Sequence, residues 1–222
     1  MSISIKGVIL DLDGTLIDSM GIWYRIDRIF LRENGVTDPP EDISDRMKKM
    51  TVEESSVYFR EHFGLSCTAE YISRRIEELV RVEYEQNIAL KPGVYELLGL
   101  LDRLGIPYGV ATATYRSLAE AILSRYDILS RLRFLLTDRE FPSGKKTPDI
   151  FLGAAEILEI VPCETLVIED SLHCIRAAAE GGFLTAAVYD SAAERETEQI
   201  RSEADWYFGS LGEVCGFIDK AV

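Results

Sequence analysis

The stretch Val8-Ile9-Leu10-Asp11-Leu12-Asp13-Gly14-Thr15 carries a short apolar run directly into two carboxylates and a glycine. Apolar residues on both sides of the run predict a strand that is buried on both faces. Burying carboxylates costs free energy unless a cation or hydrogen-bond donors compensate, so two of them at a strand end suggest a site for a hard metal ion. For this stretch alone, the alternative is a polar strand end in which Asp-x-Asp-Gly forms a turn.

Short apolar runs alternate with amphipathic stretches along most of the chain. The runs predict six strands, at Gly7–Leu10, Tyr108–Thr112, Phe134–Thr137, Thr165–Ile168, Leu184–Val188 and Trp206–Phe208. The stretches between them predict helices, among them Val94–Arg103, Arg116–Ser124, Asp149–Leu158 and Ser171–Glu180. This alternation is typical of βαβ units, and it predicts an α/β fold with a doubly wound, Rossmann-like parallel sheet.

One region, residues 17–90, has no convincing strand. It contains three helical stretches, namely Met20–Asn34, a second centred on residues 43–63, and Ala69–Asn87. We therefore expect an α/β core made of residues 1–16 and 91–222, and an inserted helical cap made of residues 17–90. The alternative without a catalytic role is a helical subdomain that only stabilises the core. The place of the insert, just after the first strand, favours a lid, because sites of α/β proteins lie beyond the carboxyl ends of strands.

Composition excludes several classes of function. The 222 residues include 38 acidic and 24 basic side chains, so the formal net charge is −14. Such an excess of acid argues against nucleic acids and anionic membranes as partners, since both need clustered lysine and arginine. The sequence shows no apolar run of membrane-spanning length and no signal peptide, and its four cysteines lack metal-site spacing. These features predict a cytoplasmic protein with reduced thiols. They do not predict an oligomeric state.

Three further segments bring polar residues to strand ends. Thr112 ends the second strand, Glu169-Asp170-Ser171 follows the fourth, and Lys145 precedes a helix that Asp149 is expected to cap. In a parallel sheet these ends share one edge. Carboxylates, a hydroxyl and an ammonium together suit a phosphoryl group bridged to Mg²⁺. Taken singly, Thr112 is equally compatible with a helix cap, and Lys145 with a solvated loop lysine.

Four motifs in order carry a family resemblance: Asp11-Leu12-Asp13-Gly14-Thr15, Thr112, Lys145 within Gly-Lys-Lys-Thr-Pro-Asp, and Glu169-Asp170-Ser171. With them, the chain resembles the haloacid dehalogenase-like hydrolases. It is most similar to the branch that has a helical cap after the first strand, which includes the β-phosphoglucomutase group. The resemblance covers nearly the whole chain and is specific for the superfamily, but it says much less about the substrate.

The resemblance implies a role for each motif residue. Asp11 is expected to attack phosphorus and form an aspartyl phosphate, and Asp13 to act as the general acid and base. The other roles are phosphate binding by Thr112, Ala113 and Lys145, and Mg²⁺ binding by Asp11, Asp13 through its backbone carbonyl, Glu169 and Asp170. Dehalogenases of the superfamily usually lack the second aspartate, because a halide needs no proton. Asp13 therefore favours phosphoryl transfer.

The chain departs from the mutases of this branch at three positions, two in the cap and one after the strand that ends at Thr112. Trp23 stands where a histidine is expected, Val52 where a phosphate-binding arginine is expected, and Tyr115 where a lysine is expected. A mutase must hold a second phosphate while its intermediate reorients, and these replacements remove donors for that task. The departures favour a phosphatase.

Some residues remain candidates for contact with the distal part of a substrate. Arg116, and possible substitutes at Lys48 and Lys49, offer cations, while Trp23 stands close to the expected domain junction. We expect a Mg²⁺-dependent phosphatase for a small phosphorylated metabolite, with a sugar phosphate as one option. The alternatives are a hexose phosphomutase and a non-catalytic phosphate-binding regulator.

Overall fold

The computed structural model describes residues 4–47 and 50–221, and it contains one sheet of six parallel strands. The strands are β1 (Gly7–Leu10), β2 (Tyr108–Thr112), β3 (Leu135–Thr137), β4 (Thr165–Glu169), β5 (Leu184–Val188) and β6 (Trp206–Phe208). Their order is β3-β2-β1-β4-β5-β6. The chain therefore adds β2 and β3 on one side of β1, and then β4, β5 and β6 on its other side. The predicted α/β fold with a doubly wound parallel sheet is confirmed. Two boundaries differ by one residue, since β3 begins later than expected and β4 includes Glu169.

The register of the central strands places their carboxyl ends side by side. Leu10 pairs with Val110 of β2 on one side and with Ile168 of β4 on the other. All four residues of β1 are buried, as expected for a central strand covered on both faces. The residues directly after β1, β2 and β4 therefore share one edge of the sheet.

The insert between β1 and β2 is helical. Its helices are α1 (Met20–Glu33), α2 (Ile43–Met47), α3 (Val52–Phe63) and α4 (Ala69–Val82), and a π-helical turn (Glu83–Asn87) follows α4. The expected single helical stretch over residues 43–63 is wrong. Thr51 forms a capping box with Glu54 and so begins a new helix at Val52. Lys48 and Lys49 lie outside the described residues.

The remaining helices cover the sheet. They are α5 (Val94–Leu104), α6 (Arg116–Arg125), α7 (Asp149–Leu158), α8 (Leu172–Glu180), α9 (Thr197–Glu203) and α10 (Leu211–Ala221). The expectation that Asp149 caps α7 is wrong, because Asp149 is the first helical residue and Pro148 occupies the cap position without a side-chain bond. Within the described ranges, no helix has the length and apolar character needed to cross a membrane.

Apolar packing joins the insert to the sheet. One continuous cluster of buried side chains includes Leu10 and Val110 of the sheet together with Phe30 and Phe59 of the insert. The rings of Phe30 and Phe59 stack with their centroids 5.5 Å apart. The insert thus packs close to the edge at which β1, β2 and β4 end.

Candidate active site

Lys145 links two carboxylates at the carboxyl edge of the sheet. Its Nζ donates to Asp11 Oδ1 at 2.6 Å, to the backbone carbonyl of Ala111 at 3.0 Å, and to Glu169 Oε1. Its side chain is only 4% exposed, so the solvated-loop alternative for Lys145 is wrong. Burial alone lowers the pKa of an ammonium, but Asp11 and Glu169 outweigh it and hold the pKa of Lys145 well above its usual range.

Glu169 is held by the chain that follows it. Its Oε2 accepts hydrogen bonds from the backbone N–H groups of Asp170 and Ser171, both at 2.9 Å. Burial raises the pKa of Glu169, but the charge and hydrogen bond of Lys145 prevail and leave the pKa below its ordinary value. Glu169 is therefore a fixed carboxylate at this edge.

Asp11, Glu169 and Asp170 form one buried acidic cluster, in which one oxygen from each lies within 4.8 Å of the others. Burial, and then the charge of Glu169, raise the pKa of Asp11 to about 8. The same two causes hold the pKa of Asp170 well above its ordinary value. When all three are ionised, Lys145 compensates only one of their charges.

The donor set of this cluster fits a divalent cation. Three carboxylates converge, and Asp11 Oδ2 is buried without a hydrogen-bond partner among the described residues. Hard cations such as Mg²⁺ take oxygen ligands of this kind, and a bound cation lowers the pKa of the acids around it. Asp11, Glu169 and Asp170 are the side chains that would hold the ion.

Gly14 allows the first motif to approach Asp170. Its φ is +85°, and a Cβ atom built there would lie 2.5 Å from Asp170 Oδ2. Only glycine tolerates both the left-handed conformation and this contact. The turn alternative and the metal-site interpretation of Asp-x-Asp-Gly are therefore compatible, because the same turn brings the motif against Asp170.

Within the described part of the chain, hydroxyl groups of three residues donate hydrogen bonds to Asp13. Ser19 Oγ donates to Oδ1 at 2.5 Å, Thr114 Oγ1 donates to Oδ2 at 2.5 Å, and Tyr84 donates its phenolic hydroxyl to Oδ1. Sequence reasoning missed Ser19 and Tyr84. Tyr84 is fully buried although it lies 71 positions along the chain from Asp13, and only the fold brings the two together.

Thr112 and Ala113 line the same cavity as Asp11 and Lys145. The hydroxyl oxygen of Thr112 accepts a hydrogen bond from the backbone N–H of Thr114 at 3.0 Å. The helix-cap alternative for Thr112 is wrong, because α6 begins at Arg116 and has Tyr115 at its cap position. Thr112 is thus oriented at the sheet edge by the turn that follows it.

A second lysine, the half-buried Lys91, links the Gly14 turn to the end of β5, and sequence reasoning missed it. Its Nζ donates to the Gly14 carbonyl at 2.6 Å, to the Tyr189 carbonyl at 3.0 Å and to Asp190 Oδ2 at 2.9 Å. A polar residue before Pro92-Gly93 at the re-entry into the core is the only sequence signal for it.

Seven of the predicted site residues surround a cavity between the sheet edge and the insert. The cavity holds about 1080 Å³ of space, counting the part open to solvent. Asp11, Asp13, Thr112, Ala113, Lys145, Glu169 and Asp170 all line it. From the insert come side chains that include Met20, Asp27, Met47, Thr51, Ser55 and Ile76.

The structure does not bring Arg116 to this cavity. Its guanidinium donates to Glu140 Oε2 at 2.7 Å and to the Leu135 carbonyl at 2.8 Å, on the β3 side of the sheet. Sequence reasoning did not foresee this pairing with Glu140. Trp23 lies in α1, and its side chain is outside the described part of the chain, so its expected substrate contact stays a prediction.

Comparison with known proteins agrees with this geometry. The family model for haloacid dehalogenase-like hydrolases matches residues 5–182. The chain is 27% identical to N-acetylmuramic acid 6-phosphate phosphatase of Pseudomonas aeruginosa over 98% of this chain and 96% of that protein. It is 28% identical to hexitol phosphatase A of Escherichia coli, with coverage of 94% and 93%.

A solved structure supports the fold. CbbY from Rhodobacter sphaeroides, crystallised with xylulose-(1,5)bisphosphate, superimposes with a TM-score of 0.83 at 24% identity, covering 94% of this chain and 96% of that one. The family prediction made from the four motifs is confirmed, since the matched segment contains all of them. The chain belongs to the haloacid dehalogenase-like hydrolases.

Proposed function

We propose that the protein is a Mg²⁺-dependent phosphatase that hydrolyses a small phosphorylated carbohydrate through an aspartyl phosphate on Asp11. The observation that carries the proposal is the cluster of Asp11, Glu169 and Asp170 around Lys145, with a second carboxylate, Asp13, in the same cavity. The relatives named as phosphatases of sugar or hexitol phosphates support the substrate class.

In the first step, a carboxylate oxygen of Asp11 attacks phosphorus as the bond from phosphorus to the leaving oxygen breaks. Asp13, in its protonated form, gives its proton to that oxygen, so a neutral alcohol leaves. In the second step, Asp13 removes a proton from water, the water oxygen attacks phosphorus, and Asp11 is released with inorganic phosphate. Dividing the displacement in this way replaces one difficult step by two easier ones.

The charges of the site favour this chemistry. Attack by a carboxylate on a phosphate ester brings two anions together, and Lys145, Thr112 and the Ala113 segment line the cavity where phosphoryl oxygens would lie. Mg²⁺, when bound by Asp11, Glu169 and Asp170, supplies the positive charge that offsets this repulsion. For Asp13 to take part, its carboxyl must exchange its bonds to Ser19, Tyr84 and Thr114 for bonds to substrate or water.

The proposal includes the division of the chain into a core, residues 1–16 and 91–222, and a cap, residues 17–90. The cavity is formed between them, so substrate entry requires the cap to act as a lid that opens and then excludes water. A non-catalytic regulator has no need for Asp13. A mutase needs cations for a second phosphate, and the expected donor Arg116 is engaged elsewhere.

Metal removal tests the proposal. Steady release of inorganic phosphate from a panel of sugar and polyol monophosphates is expected with Mg²⁺, and EDTA is expected to lower it at least about 100-fold. Excess Mg²⁺ restores the activity. Turnover that continues undiminished after EDTA treatment and gel filtration contradicts the metal assignment, and the absence of phosphate release across the panel contradicts the phosphatase.

A further inference from the structure

Lys91 joins the two chain segments that flank Asp170. Strand β4, which Asp170 directly follows, lies between β1 and β5 in the sheet. On the β1 side, the ammonium of Lys91 donates to the Gly14 carbonyl at 2.6 Å. On the β5 side, it donates to the Tyr189 carbonyl at 3.0 Å and to Asp190 Oδ2 at 2.9 Å. An ammonium has three N–H donors, so these acceptors use all of them, and the proposed chemistry gives Lys91 no part.

The Gly14 turn lies directly against the carboxyl group of Asp170. A Cβ atom built on Gly14 would lie 2.5 Å from Asp170 Oδ2 and 2.8 Å from Asp170 Cγ. The backbone of the turn therefore limits the positions that this carboxylate can occupy. Because Lys91 holds the Gly14 carbonyl, it acts through the turn on one of the three side chains proposed to bind the cation.

The position of Lys91 is fixed by its backbone. Lys91 lies where the chain leaves the insert and re-enters the core. Its N–H donates to the Leu16 carbonyl at 2.9 Å, and the N–H of Asp18 donates to the Ala89 carbonyl at 3.0 Å. Residues 16–18 and 89–91 thus run side by side and form a hinge between the core and the insert. None of these bonds uses the lysine side chain, so a substitution at Lys91 leaves them in place.

The charge of Lys91 is paired with that of Asp190, which is 5% exposed. The charge of Asp190 acts on the metal site. Burial is the largest cause of the raised pKa of Asp170, and the charge of Asp190 contributes to it as well. Lys91 opposes this charge with one of the other sign. Removal of both members of the pair therefore leaves the net charge near the site unchanged.

We propose that Lys91 is a positioning residue that holds the Gly14 turn and the end of β5 around Asp170, and thereby raises the affinity of the acidic cluster for its divalent cation. The inference rests on the proposed function, because it takes Mg²⁺ as the ion held by that cluster. Residues that orient metal ligands without touching the metal contribute about 10- to 100-fold in affinity. The contribution of Lys91 is expected near the lower end, because it acts through a turn.

The sign of the effect separates positioning from charge. Lys91→Met removes a positive charge near the cation, and Coulomb's law alone predicts tighter Mg²⁺ binding. Positioning predicts the opposite, a Kd for Mg²⁺ that rises about 10-fold. Lys91→Met also leaves Asp190 buried without its counter-charge, so we expect Tm to fall by about 5 °C or more.

A second substitution keeps the test valid if Lys91→Met folds poorly. The combined variant Lys91→Met and Asp190→Asn removes one charge of each sign and leaves no unpaired carboxylate at the end of β5. Its Tm is expected to recover at least about half of the loss. Its Kd for Mg²⁺ is expected to stay about 10-fold above the native value, because the bond to the Gly14 carbonyl is still missing.

The affinity is measured without turnover. The urea midpoint of the substrate-free protein is followed over a series of Mg²⁺ concentrations at constant ionic strength, and the gain in stability gives Kd by linkage. Asp170→Asn measures Mg²⁺ binding elsewhere on the protein. In phosphate release, the half-saturating Mg²⁺ concentration of the combined variant is expected to rise about 10-fold, while kcat at saturating Mg²⁺ stays within about 3-fold of native.

Tyr126→Phe provides a matched control at the hinge. The Tyr126 hydroxyl donates to the Ile88 carbonyl at 2.9 Å, so its loss weakens a contact just before the hinge segment without reaching Gly14. Its Kd for Mg²⁺ is expected to equal the native value. An equal rise of Kd in Tyr126→Phe contradicts a specific role for Lys91.

The remaining outcomes separate this inference from the proposed function. Unchanged or tighter Mg²⁺ binding in both Lys91 variants overturns the inference even where phosphatase activity is found. A large loss of kcat with an unchanged half-saturating Mg²⁺ concentration overturns it as well. A native protein that Mg²⁺ stabilises no more than it stabilises Asp170→Asn overturns the metal assignment itself, and the inference with it.

Discussion

Asp11→Asn is expected to lower kcat for phosphate release by at least about 10⁴-fold, because the amide oxygen is a far weaker nucleophile than the carboxylate. The change is nearly isosteric at a buried position where Lys145 donates to Oδ1 at 2.6 Å, and an asparagine oxygen accepts that same bond. Substrate binding is therefore expected to persist. Steady-state phosphate release and calorimetric binding are the two measurements.

Folding provides the control for this variant. In metal-free buffer, Asp11→Asn removes one of three clustered negative charges, and the raised pKa of Asp11 shows that its ionised form is disfavoured in the folded protein. Since a raised folded-state pKa lowers stability as pH rises toward it, the variant is expected to melt at least as high as the native protein at pH 8. Retained turnover in a well-folded Asp11→Asn protein contradicts the assignment of the nucleophile.

Lys145→Met is expected to lower kcat by about 10³-fold and to destabilise the fold by about 3–5 kcal/mol. Lys145 is buried and donates to both Asp11 and Glu169, so its loss leaves two carboxylates facing each other without a counter-charge. Because a divalent cation binds the same carboxylates, Mg²⁺ is expected to restore part of the lost stability, which chemical denaturation with and without Mg²⁺ measures. Mg²⁺ is not expected to replace the contact of Lys145 with the phosphoryl group, so kcat is expected to stay low.

The exposed pair of Lys6 with Glu164 offers a matched control. Lys6→Met removes a lysine with the same substitution at the surface, where ion pairs contribute about 0–1 kcal/mol. It is expected to change neither activity nor its Mg²⁺ response. An equal loss of stability in both variants, or a Lys145→Met protein with native kcat, contradicts the role of Lys145.

The sequence was sufficient to predict the sheet and its chemically active edge. Buried parallel strands appear as continuous apolar runs, so the first residue after each predicted run, such as Asp11 or Glu169, falls at one edge of the sheet whatever the conformation of the loops. The family motifs then linked Asp11, Thr112, Lys145 and Glu169, and all four line one cavity.

The partners of these residues depend on contacts between distant parts of the chain. Tyr84 reaches Asp13 from the π-helical turn of the insert, and Lys91 reaches Gly14 from the start of the core segment. Apolar periodicity places Tyr84 on the buried face of a helix, but it does not predict which residue accepts the hydrogen bond of the Tyr84 hydroxyl. The pairing of Arg116 with Glu140 was not foreseen for the same reason, because Glu140 lies in a turn whose path the sequence does not specify.

Asp138 is buried and lines the same cavity, and a general rule could have identified it from the sequence. It follows β3 just as Asp11 follows β1, and the expectation that polar residues at strand ends converge applies equally to both. Asp27 of α1 is also buried and lines the cavity. No sequence pattern indicated this, since an acidic residue in an amphipathic helix is normally exposed. Its burial follows from the way the insert packs over the sheet edge.

The most direct test of the account is to capture the phosphoryl group on the protein. Asp13→Asn, incubated with Mg²⁺ and p-nitrophenyl phosphate, should accept the phosphoryl group without aid from an acid, because nitrophenolate leaves unprotonated, and should then stall for lack of a base. Intact-mass spectrometry is expected to show one added phosphoryl group, peptide mapping to place it on Asp11, and Asp11→Asn to abolish it. A native protein that releases phosphate while Asp13→Asn carries no phosphoryl group, or carries it on another residue, would contradict the aspartyl-phosphate mechanism.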